Sequence, residues 1–104
     1  MHIQINTDNN IEGSARLSAY LTETLQDELA RFEDLITRVE VHLSDENAHK
    51  EGGDDKRCLL EARLKGLKPV VVSHNAESID IAVSGAIDKL VKSLESTIGK
   101  LRKH

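Results

Sequence analysis

An α+β two-layer sandwich is the fold class this sequence predicts: one four-stranded sheet with two helices on the same face, in the order β-α-β-β-β-α. Three observations predict it. Three short stretches alternate apolar and polar residues with the period of half-buried strands, the run 70–73 adds a fourth, and two longer stretches carry apolar residues at three- and four-residue steps. The length of 104 residues suits one domain, spanning 1–104, with a single core. Each strand then has one polar face and each helix one apolar stripe, so stacking both helices on one sheet face buries every apolar surface at once.

The first strand is read over 2–7, where Ile3 and Ile5 alternate with His2, Gln4 and Asn6. Asp8, Asn9 and Asn10 end it, and Ser14 offers an N-cap. A first helix from Ala15 to about Phe32 follows from Leu17, Tyr20, Leu21, Leu25, Leu29 and Phe32. Val39, Val41 and Leu43 alternate with Arg38, Glu40 and His42 in the second strand. The polar stretch 44–55, with Gly52 and Gly53, reads as a mobile hairpin loop dispensable for binding. Cys58, Leu60, Ala62 and Leu64 mark the third strand, Gly66 and Pro69 the next turn, and 70–73 the fourth strand. Ser78 caps a last helix with an apolar stripe at Ile79, Val83, Ala86, Ile87, Leu90, Leu94, Ile98 and Leu101. The predicted core joins Leu17, Leu21, Leu25, Val39, Val41, Leu60, Val83, Leu90 and Leu94.

Composition narrows the function. No run approaches the ~18 apolar residues of a membrane span, and the polar start has no signal-peptide core. The lone Cys58 excludes an internal disulfide framework and suits a reducing, cytoplasmic setting. Tyr20 and Phe32 are the only aromatic residues, which excludes a base-stacking platform.

The net charge of −4 hides a segregation. Residues 1–34 carry a net −5 and residues 35–87 a net −2, whereas residues 88–104 carry +3. On a helical wheel Lys89, Lys92, Lys100 and Lys103 fall within an arc of about 80°, roughly 130° from the apolar stripe. Gly85, Ser96 and Gly99 lie along that arc, where small side chains would let a phosphate backbone approach. Such a face is either a polyanion site or a solvated surface whose cations suit the helix C-terminus. Arg57, Arg63, Lys65 and Arg38 are placed on the open sheet face, with Lys68 in the adjoining turn. Glu40 and Glu61 share that face, so cross-strand ion pairing is an equal reading.

No persuasive catalytic set emerges. Cys58 is on the inward register of its strand, where a cysteine serves as a small hydrophobe. The five histidines, His2, His42, His49, His74 and His104, lack zinc-site spacing. Asp45, Asn47, Glu51, Asp54 and Asp55 do not match a calcium-loop pattern, and a solvated loop is the simpler reading. The expectation is a protein without catalytic residues, metal or cofactor.

The sequence resembles the short form of the bacterial ribosome hibernation promoting factors, the ribosome-associated inhibitor family also labelled sigma-54 modulation proteins. The opening I-x-I-x strand, the segment ELARFEDLITRVEVHL and above all AIDKLVKSLESTIGKLRKH carry the resemblance, which runs nearly end to end in register. It implies a fold related to double-stranded-RNA-binding domains. It also implies docking on the 30S ribosomal subunit, on 16S rRNA and ribosomal proteins, in the channel used by mRNA and tRNA anticodons. The resemblance further implies that such occupancy represses translation under starvation, without a membrane or a small-molecule substrate. Carried onto this chain, the rRNA contacts are Lys89, Lys92, Lys100, Arg102 and Lys103, together with Arg57 and Arg63. The family also presents basic residues on the first helix. Here Glu23, Asp27 and Asp34 stand on its exposed face, relieved only by Arg16 and Arg31. The alternative is a protein-interaction module of the same fold that has lost rRNA binding.

Overall fold

Backbone pairing joins four strands in chain order in the computed structural model, which describes residues 1–11, 13–46, 53 and 55–102. The first strand, β1 (His2–Thr7), runs parallel to β2 (Ile36–Asp45), as a strand-helix-strand crossover requires. β2 is antiparallel to β3 (Lys56–Leu64), and β3 to β4 (Val70–Ala76). One inward row reads Ile5, Val41, Leu60 and Val72 across the sheet. The helices α1 (Ala15–Glu28) and α2 (Ile79–Arg102) cover this face, and Leu21, Leu25, Leu90 and Leu94 join Val39, Val41 and Leu60 in one core without exposure. The architecture is the expected α+β sandwich with its order β-α-β-β-β-α.

Several boundaries differ from the sequence reading. The first helix stops at Glu28 and a 3₁₀ turn, Ala30–Phe32, completes the segment. The tighter turn keeps Leu29 and Phe32 buried three residues apart while turning the chain toward β2. β2 begins early at buried Ile36, just before a register shift, and includes Ser44 and Asp45, which the sequence reading gave to the loop. The amide of Glu46 donates to the carbonyl of Asp55 at 2.8 Å, so pairing continues past the strand end. Residues 47–52 and 54, the remainder of that loop with His49, and the terminal Lys103 and His104 lie outside the described residues. β4 runs on to Ala76, since inward His74 and Ala76 prolong its pairing with β3.

Three apolar positions also differ. Leu17 is only half-buried at the core margin, and Tyr20 is 46% exposed. Leu21, Leu25 and Leu29 face the sheet, so both of these turn toward the gap between the helices. Leu101 is 50% exposed, because Leu94 is the last fully buried residue of α2 and the helix continues beyond it.

Candidate polyanion-binding face

The hydroxyl of Ser78 accepts from the Ile81 amide at 3.3 Å and caps α2 as its sequence suggested. From there α2 lies along β4 and β3 on its apolar stripe, which leaves two flanks of opposite character. One flank borders β4. Here the Lys89 ammonium donates to the Ser73 carbonyl at 2.7 Å, and Gly85 lies against the His74 ring. Lys92 and Lys100 are exposed, and neither has an ion-pair partner among the described residues. Gly99 has open space where a Cβ would stand, but it opens on the recess of Arg31, Glu95 and Arg102 rather than on the β4 flank. Gly85 does not serve that purpose, because His74 already fills the space.

The opposite flank meets α1. Asp80, Ser84 and Asp88 of α2 and Tyr20, Thr24 and Glu28 of α1 line a groove of about 150 Å³, floored by Val83 and Ile87. Glu23, Asp27, Glu28, Asp80 and Asp88 make no ion pair with the described residues, and Arg16, which lines the adjoining recess with Tyr20 and Asp80, is the one cation beside this groove among its lining residues. The groove was not legible in the sequence, since it arises only when two distant helices are set side by side.

Not every residue expected to bind rRNA stands on the basic flank. Arg102 lines a separate recess with Arg31, Phe32, Glu95 and Ile98. There Arg31 pairs with Glu95 at 2.8 Å and stacks 4.6 Å from the Phe32 ring centre. Both ends of that pair are more than half exposed, so it contributes at most ~1 kcal/mol. Lys103 lies outside the described residues.

Arg57 and Arg63 do occupy the open sheet face, where the ion-pairing alternative is realised. Arg63 bridges Glu40 and Glu61, each at 3.3 Å, and these two glutamates stand directly opposite in the β2–β3 register. The guanidinium therefore relieves a like-charge cross-strand pair. Arg57 lies 3.6 Å from Glu46, and Arg38 3.7 Å from Glu40 while also donating to Gln4. On the helix-side register of β3, beyond Cys58, Lys56 sits between Asp55 and Asp45 at 3.1 and 3.2 Å, and its hydrogen bond to Asp55 raises its pKa. The open sheet face, through Arg38, Arg57 and Arg63, is charge-compensated, unlike the outer flank of α2.

Cys58 has no exposed surface, and burial pushes its thiol up to about 12, so at neutral pH it is a packed thiol rather than a nucleophile. No three His, Cys, Asp or Glu side chains among the described residues converge on a metal position. No helix among them is long and apolar enough to cross a membrane.

The family model for the sigma 54 modulation protein / S30EA ribosomal protein matches residues 3–102. No curated relative matches the chain in sequence. The fold is similar to the Protein Y N-terminal domain of Thermus thermophilus, with a TM-score of 0.74 at 22% identity over 93% of this chain and 99% of that one. It is also similar to a ribosomal subunit interface protein from Coxiella burnetii, with a TM-score of 0.72 at 20% identity over 95% of this chain and 99% of that one. At these identities the two structures speak for the fold alone.

Proposed function

This chain belongs to the sigma 54 modulation protein / S30EA ribosomal protein family, and from that premise we propose that it is a ribosome-associated factor. It binds the small ribosomal subunit near the decoding channel and represses translation. The role is one of occupancy in the cytoplasm and uses no chemistry of its own. The observation that carries it is the outer flank of α2, where Lys92 and Lys100 stand exposed and uncompensated on a protein of net charge −4. Cations kept clear of carboxylates bind phosphates by releasing condensed counterions.

A second reading is favoured by the uncompensated acidic side of α1: a protein-interaction module of the same fold without rRNA binding. Co-sedimentation with purified 30S and 50S subunits separates the two. The ribosome reading expects 30S binding that mRNA and initiator tRNA displace, with inhibition of initiation in a purified translation system. Absence of 30S binding at about 50 mM salt, where phosphate contacts are strong, contradicts it and leaves the interaction module.

A further inference from the structure

We propose that the RNA-facing surface of this protein is its β4–α2 edge, where Lys65 and Lys68 of the β3–β4 turn extend the track of Lys89, Lys92 and Lys100, and that the α1–α2 groove faces away from the RNA. This rests on the ribosome reading above and adds to it two phosphate-binding residues and an orientation.

The geometry follows from two contacts. Gly85 meets His74 and Lys89 meets Ser73, so rising numbers on α2 match falling numbers on β4 and the two elements are antiparallel. From the Lys89–Ser73 contact, α2 advances ~1.5 Å per residue and carries Lys100 about 16 Å further. Over the same course β4 and the chain before it retreat ~3.3 Å per residue, which brings Lys68 to roughly the same level. Lys65 and Lys68 are exposed at that end of the sheet and have no ion-pair partner among the described residues.

Charge points the same way. Residues 62–76 hold Arg63, Lys65 and Lys68 and no Asp or Glu at all. From 89 to 102 the sole carboxylate of α2 is Glu95, which is paired with Arg31 toward the α1 side. The β4–α2 edge thus offers lysines at its middle and far end with no carboxylate between them. Between Lys89 and the far end a phosphate backbone following this edge meets lysines without an unpaired carboxylate, whereas one laid in the α1–α2 groove meets Glu28, Asp80 and Asp88.

The test is the salt dependence of 30S affinity for the whole protein and two double variants. Lys65→Gln with Lys68→Gln should lower the log–log slope by about 0.7–0.9 per lysine, as loss of a phosphate contact does. Glu23→Lys with Asp27→Lys should leave the slope unchanged, because cations added to α1 find no phosphate there. A slope unaffected by the first change overturns the proposal, and so does a slope raised by the second. Lys92→Gln with Lys100→Gln serves as the reference. If it lowers the slope while the turn variant does not, 30S binding stands and only this inference falls. If the unaltered protein does not bind 30S at all, the underlying ribosome reading has failed instead.

Discussion

The imidazole of His74 occupies the place that a side chain on Gly85 would need: a Cβ built there would lie 2.2 Å from the ring Cδ2 and 2.5 Å from Cγ. Helix α2 therefore lies close to the edge strand through a glycine, even though glycine costs a helix interior ~1 kcal/mol relative to alanine. Gly85→Ala should destabilise the protein by about 1–3 kcal/mol through overpacking. In a His74→Ala background the same change should become neutral or mildly stabilising, since only the propensity gain remains. Urea unfolding of the four proteins in this cycle measures the coupling. Equal effects in both backgrounds would mean that the contact does not set the helix position.

Leu90 and Leu94 are both without exposure and anchor the middle of α2. Leu90→Ala should cost about 2–5 kcal/mol in urea unfolding, the range for truncating a buried leucine. Leu101→Ala, at a half-exposed position beyond the sheet, should cost well under ~1 kcal/mol. A reversed ranking would relocate the packed part of the helix.

Cys58 offers a test by pH. Its thiol is pushed up to about 12 by burial, whereas an unfolded cysteine titrates near ~8.5. The unfolded state alone loses the proton across that window, so stability should be intact below about pH 8 and fall as pH rises toward 12. Cys58→Ala should remove that part of the alkaline decline. At pH 8 the native thiol should react with a disulfide reagent far more slowly than the urea-unfolded chain, and equal rates would contradict its burial.

The strands and the main stripe of each helix were legible in the sequence because burial on one face imposes a period. Val39, Val41, Leu43, Cys58, Leu60 and Ala62 all face inward as their alternation required. Periodicity could not say where α1 gives way to the 3₁₀ turn, because Leu29 and Phe32 satisfy either helix at a spacing of three. Nor could it tell that Tyr20 faces a groove, since that position depends on where α2 lies. For the site, wheel geometry placed Lys92 and Lys100 together on an exposed flank. It treated Gly85 as open surface because the strand beside it was invisible, and it had no means of seeing Arg63 drawn between Glu40 and Glu61.

The central claim, that α2 binds ribosomal RNA through the phosphate contacts of its outer lysines, is tested most directly by the salt dependence of 30S affinity in the Lys92→Gln, Lys100→Gln variant. Both side chains are exposed, and glutamine keeps their helix propensity nearly unchanged, so thermal stability should match that of the unaltered protein. The log–log slope should fall by about 1.4–1.8 for the two lost contacts, with affinity reduced most at low salt. An unchanged slope in a protein that still binds 30S would contradict the claim and move the contact surface off the outer flank of α2.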